Sequence, residues 1–215
     1  MAATGPVGAA SLQLENLQCT RSGRLLFSGL NATVVPGQLL RVQGANGAGK
    51  TSLLRMVCGL LAPQHGRVLW RGLDIARLRE EFGRALLYLG HTAALKAELS
   101  VLENLQVALA LAGWQAAPQA ARAALREAGL AGREHAPVRT LSQGQRRRAA
   151  LARLVLAGAT PLWVLDEPFN ALDHAAGAWL ASRIARHVGA GGIVVLTSHQ
   201  DVALPAALPQ VTLAL

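Results

Sequence analysis

The stretch GANGAGKT, from Gly44 to Thr51, matches the pattern G-x-x-x-x-G-K-[ST] at every defined position. The apolar run QLLRVQ precedes it and the periodic run SLLRMV follows it, which predicts a strand before the loop and a helix after it. Small residues let the backbone curl around phosphate oxygens, and the N terminus of the helix attracts the same anions. The stretch therefore predicts a phosphate-binding loop in an α/β fold.

Lys50 is one of only two lysines among 21 basic residues. A compact ammonium on a long stem reaches phosphates from inside such a loop, where a planar guanidinium is too bulky. Lys50 is therefore expected to serve in catalysis as well as in binding. Thr51 is expected to offer its hydroxyl to Mg²⁺. The predicted nucleotide-binding residues of this segment are Gly44, Ala45, Asn46, Gly47, Ala48, Gly49, Lys50, Thr51 and Ser52.

Composition limits the class of protein. With 215 residues, 52% hydrophobic and 15% charged, the chain is expected to form a compact domain and not a disordered one. A net charge of +9 permits nucleic acid or an anionic membrane surface as partner without requiring either. Cys19 and Cys58 lack metal-site or disulfide-framework spacing. Neither a secretory signal nor a membrane span is predicted, because the most apolar runs are interrupted by polar residues and proline.

Apolar runs predict most of the remaining strands, and residues 100 to about 157 are predicted to be mainly helical. The expected picture is a strand-rich α/β body with a helical insertion. The predicted strands are SLQLENLQ (11–18), with Leu12, Leu14 and Leu17 on one face, LLFSGLNATVV (25–35), GRVLWRG (66–72), RALLYLG (84–90), PLWVLDEP (161–168), GGIVVLTSH (191–199) and VTLAL (211–215).

Two acids end the apolar run PLWVLDEP, from Pro161 to Pro168. This places them at the carboxyl edge of a parallel sheet, where ligands of open α/β folds collect. Asp166 is predicted to hold a metal through its water shell, and Glu167 to polarise the attacking water as a general base. A pair of helix-capping acids is the alternative, which the presence of a phosphate loop in the same chain disfavours.

The segment TLSQGQRRRAALARLVLAG, residues 140–158, predicts a helix start. Ser142 and Gln145 have capping-box spacing, which places Gly144 in the first turn. Three consecutive arginines follow, and positive charge near a helix start is unfavourable unless an anion or an acid compensates it. For Arg147 and Arg148 the prediction is a solvated basic face.

These motifs, with NALD at 170–173 and TSH at 197–199, come in the order found in the ATP-binding-cassette family, which the chain resembles over nearly its whole length. The resemblance implies an α/β fold of the P-loop NTPase type. It implies a RecA-like core with an N-terminal antiparallel β subdomain and an inserted helical subdomain. One domain is expected over 1–215, with the core and β subdomain at 11–90 and 158–215 and the helical subdomain at 91–157.

The resemblance also implies a second cassette, most simply another copy of this chain, packed head to tail around two ATP molecules with Mg²⁺. Ser142, Gly144 and Gln145 would then contact the γ-phosphate of the partner's ATP. Asp173 would lie at the dimer seam. His199 would sense the γ-phosphate and contribute to catalysis.

Within that family the chain is most similar to ATP-binding subunits of cytochrome c maturation (CcmA type), on the segments LLFSGL, LYLGHTAALKAELSVLENL and GGIVVLTSHQ. This implies hydrolysis of MgATP at the cytoplasmic face of a bacterial inner membrane, as a peripheral subunit. A multi-span partner of the CcmB type is expected, with haem handled only indirectly. Residues 91–102 are the candidate docking surface, and packing of their leucines in the core is the alternative explanation for this segment. The alternatives are a soluble cassette acting on nucleic acid or ribosomes, and a cassette that only binds nucleotide. Direct nucleic-acid binding is not expected.

Two positions depart from the general cassette pattern. Many cassettes stack adenine on an aromatic residue where this chain has only Arg21, whose guanidinium is the predicted substitute. Cassettes also commonly carry a metal-contacting glutamine where His91 stands, and a neutral imidazole is expected to bind metal or water there.

Overall fold

The computed structural model describes residues 11–158, 160–198, 204–205 and 207–215. A short 3₁₀ turn occupies Val138–Thr140. The strands and α-helices are β1 (Leu12–Arg21), β2 (Arg24–Val34), β3 (Leu39–Gln43), α1 (Lys50–Val57), β4 (His65–Trp70), β5 (Leu73–Asp74), α2 (Arg79–Ala85), β6 (Leu86–Leu89), α3 (Val101–Leu111), α4 (Pro118–Glu127), α5 (Gln143–Leu151), α6 (Arg153–Leu156), β7 (Leu162–Leu165), α7 (His174–Gly189), β8 (Ile193–Thr197) and β9 (Gln210–Ala214).

A parallel sheet in the order β6-β7-β8-β3-β9 forms the centre of the molecule. Every residue of β7 and β8 is buried, as expected for parallel strands that are covered on both faces. Alternate residues of β7 point to opposite sides. Leu162 packs in the cluster that contains helix α1, whereas Trp163 packs in the cluster that contains helices α6 and α7. The sheet therefore lies between two helical layers.

An antiparallel sheet in the order β2-β1-β4-β5 precedes and flanks this core. Leu12, Leu14 and Leu17 are all buried, although strict alternation would turn Leu17 away from the other two. The change of face occurs at a bulge, where Asn16 has a φ of 50° and the register shifts. Gly66 of β4 lies against this bulge, because a Cβ there would meet the Glu15 carbonyl oxygen at 2.1 Å.

Helices α3, α4, α5 and α6 all lie between β6 and β7, and they share a third hydrophobic cluster. Helix α3 begins at a capping box, in which the Ser100 hydroxyl accepts from the Glu103 N–H and the Glu103 carboxylate accepts from the Ser100 N–H. The predicted α/β fold with an antiparallel sheet and a helical insertion is confirmed. The predicted boundaries at residues 91 and 157 remain a prediction.

One predicted strand begins later than expected. Arg84 and Ala85 end helix α2, and the strand begins at Leu86, where pairing with Leu162 of β7 starts. Among the helices that the structure describes, none combines the length and the apolarity that a membrane crossing requires.

A stacked ring pair joins helix α7 to the central strand. The rings of His187 and Trp163 are parallel to within 6°, with centroids 3.8 Å apart. Burial lowers the pKa of His187 from 6.5 to about 4, although backbone hydrogen bonds at Pro161 and Ile193 oppose this shift. Below its ordinary pKa, the unfolded chain therefore binds a proton at this histidine that the folded protein excludes. The stability from neutral His187 is complete above pH 6.5 and is lost as the pH falls toward 4.

We expect His187→Phe to flatten this pH dependence, because phenylalanine keeps a flat ring against Trp163 but cannot bind a proton. Between pH 6.5 and 4.5 the free energy of unfolding should fall less steeply in the variant than in the parent. The difference between the two slopes should be at most about 1 kcal/mol per pH unit. Urea unfolding at a series of pH values measures this slope. His65→Phe, at an exposed position of β4, is the control and should keep the parent slope. Equal slopes for His187→Phe and the parent would contradict the prediction.

Candidate active site

The predicted phosphate loop connects the carboxyl end of β3 to the first turn of α1. Gly47 and Gly49 have φ values of 80° and 105°, in the left-handed region that favours glycine. A Cβ at Gly49 would also lie 3.1 Å from the Phe27 ring. The first N–H groups of α1 have no intrahelical acceptor and carry the positive end of the helix dipole. The loop therefore presents a concave set of donors that suits an anion.

Lys50 is buried inside this loop, with 8% of its surface exposed. Its Nζ donates to the carbonyl oxygens of Gly44 at 2.7 Å and Ala45 at 3.1 Å. A flexible stem and three donors allow the same ammonium to turn from these carbonyls to a phosphate without moving the backbone. The structure thus places the ammonium inside the curl of the loop.

Asp166 connects the phosphate loop to the end of β8. One of its carboxylate oxygens accepts from the Thr51 hydroxyl at 2.9 Å, and the other accepts from the Thr197 hydroxyl at 2.8 Å. Asp166 is 1% exposed. A hydroxyl beside a carboxylate is an oxygen donor set that suits Mg²⁺, which commonly takes one or two protein oxygens together with substrate phosphates. No group of three or more His, Cys, Asp or Glu side chains in the described part of the chain is arranged to hold a metal.

Glu167 follows Asp166 in an unusual backbone conformation. It has a φ of 48°, which is left-handed for a residue with a side chain, and it is 7% exposed. Its N–H donates to the Thr197 hydroxyl at 2.8 Å. Thr197 therefore orients both acids, Asp166 through the carboxylate and Glu167 through the backbone. The sequence analysis assigned no role to Thr197. Its place at the carboxyl end of the apolar run that forms β8 is the sequence feature that could have indicated one.

A cleft of about 670 Å³ brings the phosphate loop, Glu167 and two predicted contacts together. Arg21, at the end of β1, and His91, after β6, are both exposed and both line it. Asn170 lines the cleft as well, and sequence reasoning did not identify it. The complete lining is Arg21, Leu26, Asn46, Gly47, Gly49, Lys50, Thr51, Ser52, His91, Glu167 and Asn170.

The other predicted nucleotide contacts do not line this cleft. Ser142 and Gln145 form the capping box of α5, and Asp173 caps α7 through the Ala176 N–H. Gly144 faces its own chain closely, because a Cβ there would lie 2.6 Å from the Ala171 carbonyl oxygen. Within one chain these residues therefore serve helix starts and close packing. His199 lies outside the described residues.

Arg147 is buried, so the prediction of a solvated basic face was wrong for it. Only 5% of its surface is exposed, and its guanidinium donates to backbone carbonyls at the ends of β6 and β7. Burial lowers the pKa of Arg147, and the charges of Asp166 and Glu167 oppose that shift. Arg148 is half-buried and donates to the Gly129 carbonyl at 3.1 Å. Helical periodicity could not predict this burial, because the acceptors of Arg147 come from distant parts of the chain.

Comparison with known proteins shows which family the chain matches. The family model described as ABC transporter matches residues 27–170. The cytochrome c biogenesis ATP-binding export protein CcmA of Aromatoleum aromaticum is 52% identical, and the match covers 94% of each chain. The protein of the same name from Pseudomonas aeruginosa is 48% identical over 90% of this chain and 95% of its own length.

Solved structures show the same fold. The ATP-binding subunit of an ABC transporter matches with a TM-score of 0.80 and 25% identity over 94% of this chain and 85% of its own. An ATP-binding cassette solved as a dimer with ADP and phosphate matches with a TM-score of 0.75 and 24% identity over 88% of each chain. The chain therefore belongs to the ABC transporter family, as an ATP-hydrolysing cassette of the CcmA type.

Proposed function

We propose that this chain is the subunit that hydrolyses MgATP for a membrane complex of cytochrome c biogenesis that delivers or exports haem. The observation that carries the catalytic part is the line of hydrogen bonds from Thr51 through Asp166 and Thr197 to Glu167, beside Lys50. The biological part is supported by similarity to the curated CcmA proteins along nearly the whole chain.

The residues in and beside the cleft divide the chemical tasks of hydrolysis in this proposal. The loop N–H groups and Lys50 hold the β- and γ-phosphates and offset their charge. The Thr51 hydroxyl and the Asp166 carboxylate would hold Mg²⁺, which neutralises charge on the phosphates when it is bound. Glu167 accepts a proton from the attacking water. His91 would contact the metal shell through a water molecule, because Mg²⁺ prefers oxygen ligands to imidazole nitrogen.

A second copy of the chain would complete the site. Ser142, Gly144 and Gln145 lie at the start of α5 and do not line the cleft of their own chain. In a head-to-tail pair, the positive end of α5 would face the γ-phosphate of the partner's ATP, with Asp173 near the seam. His199 is assigned to γ-phosphate sensing by the same resemblance. This division of the site would make hydrolysis depend on closure of the pair.

The membrane partner is proposed to be a multi-span protein of the CcmB type, which would hold the cassette peripherally at the cytoplasmic face of the inner membrane. Residues 91–102 are the proposed docking surface. The buried Asn104 fixes this segment, because its side chain accepts from the Lys96 N–H at 2.7 Å and donates to the Lys96 carbonyl at 3.0 Å. His91, which lines the cleft, begins the same segment. A partner bound to this segment would thus lie close to the nucleotide cleft. Haem would be handled by the partners and not by this chain.

We expect Glu167→Gln to lower the rate of ATP hydrolysis by roughly 10²–10⁴, as for loss of a general base. The amide keeps the shape of the side chain, so ATP affinity should be unchanged. Phosphate release measures hydrolysis, and calorimetric titration with MgATP measures binding. Glu81→Gln, at an exposed position of helix α2 outside the cleft and outside the proposed docking surface, should behave as the parent. Turnover near the parent level in Glu167→Gln would refute the general-base assignment.

Arg21→Ala should weaken ATP binding by about 2- to 5-fold, the expected loss for one cation–π stack at an exposed site. Arg24→Ala is the matched control, because Arg24 pairs with Arg21 across the β1–β2 turn but does not line the cleft. Calorimetric titration with ATP and with inorganic triphosphate separates adenine contacts from phosphate contacts. Only the ATP titration should change. Equal ATP affinities for both variants would exclude stacking by Arg21.

Purification from detergent-solubilised native membranes tests the partner proposal. Tagged Glu167→Gln chain with MgATP, which should bind nucleotide and hydrolyse it slowly, should retain a multi-span protein of the CcmB type together with haem-handling factors. The same bait without nucleotide should retain less, because closure of the pair requires ATP. Recovery of ribosomes or DNA-repair proteins in place of a membrane protein would favour the soluble alternative.

A further inference from the structure

Every nitrogen of the Arg147 guanidinium donates hydrogen bonds to backbone carbonyl oxygens. A guanidinium has five N–H groups. Here Nε donates to Pro168 at 3.3 Å, Nη1 to Gly90 at 2.9 Å and His91 at 3.3 Å, and Nη2 to Asp166 and Glu167 at 2.8 Å each. The residue belongs to α5, whereas its acceptors follow β6 and β7. One side chain therefore links the helix that begins within the segment LSQGQ (141–145) to both strand ends at the cleft.

We propose that Arg147 is a positioning residue that holds Glu167 in the conformation required for hydrolysis. This inference rests on the proposed role of Glu167 as general base. Arg147 itself does not line the cleft and is not expected to touch nucleotide.

The backbone at Glu167 needs such support. A left-handed φ of 48° at a residue with a side chain persists only where its surroundings enforce it. The Thr197 hydroxyl holds the N–H side of Glu167, and Arg147 holds the carbonyl side. The carbonyls of Asp166, Glu167 and Pro168 converge on one guanidinium, and without a cation their partial negative charges would repel one another at close range. Loss of Arg147 should therefore release this turn.

Only arginine provides this set of bonds. Lysine keeps the charge but has three donors at one point, and glutamine has two donors and no charge. The bonds to Gly90 and His91 come from one nitrogen and those to Asp166 and Glu167 from the other. A single-point donor cannot serve both strand ends with this geometry. The effect on turnover should thus be graded, with the parent fastest, Arg147→Lys intermediate and Arg147→Gln slowest.

The test is a double-mutant cycle between Arg147→Gln and Glu167→Gln in the otherwise intact chain. Arg147→Gln alone should lower both kcat and the single-turnover rate by about 10- to 100-fold, as expected when a catalytic group is misplaced by an ångström or less, with little change in ATP affinity. In the Glu167→Gln background the same substitution should change the residual single-turnover rate less than 2-fold, roughly 0.4 kcal/mol, because its target is already disabled. Calorimetric titration with MgATP and urea unfolding accompany each rate.

Arg148→Gln is the matched control. Arg148 lies on the same helix and donates to a single carbonyl, that of Gly129, away from the cleft. Its kcat should stay near the parent value. Arg147→Lys keeps the test open if Arg147→Gln does not fold, because it retains charge and length and should still lower kcat.

The outcomes separate this inference from the proposed function. Near-parent turnover in Glu167→Gln would overturn the general-base assignment, whatever Arg147 does. Slow turnover in Glu167→Gln together with normal turnover in both Arg147 variants would overturn only the positioning role. An equal fold-loss from Arg147→Gln in both backgrounds would also overturn it, since an effect that does not pass through Glu167 multiplies independently.

Discussion

The buried carboxylate of Asp166 is the interaction on which the site depends. At the end of β7 it accepts one hydroxyl from the first turn of α1 and one from the end of β8. These two bonds fix the position of the phosphate loop relative to the neighbouring strand, in an interior where a buried charge is tolerated only if it is hydrogen-bonded. The all-parallel order of the core sheet makes this possible, because the carboxyl ends of β3, β7 and β8 meet at one edge.

The same edge stores backbone strain beside the predicted general base. Glu167 takes a left-handed conformation directly after a fully buried strand, and groups from two other elements, Thr197 and Arg147, hold its two peptide groups. Strain of this kind is expected where a side chain must be directed into a cleft. Turning the chain out of the sheet at this residue gives the carboxylate an orientation that an extended strand would not provide. The helical insertion contributes one of the two supports, so α5 helps to hold the backbone of the predicted general base.

Much of this could be predicted because its causes are local. Gly49 precedes a helix and needs a left-handed φ, and Ser100 and Ser142 start helices through capping boxes within four residues. Continuous apolar runs indicated buried parallel strands in the same way. Predictions were wrong where the deciding partner is distant in sequence. Arg147 was predicted to be a solvated cation because its acceptors lie 19 to 57 residues away along the chain. The end of α2 was similarly decided by strand pairing with β7.

The sequence by itself determined the phosphate loop, the order of the motifs, the α/β class and the helix starts, since each depends on spacing within a few residues. Only the tertiary structure decided that Arg21 and His91 share one cleft with Lys50. It also decided that Thr197 orients both acids and that Arg147 is buried beneath them. The spacing of residues along the chain indicates whether a segment tends to form a helix, a strand or a loop. Which carbonyl meets which guanidinium depends on how strands and helices pack in three dimensions.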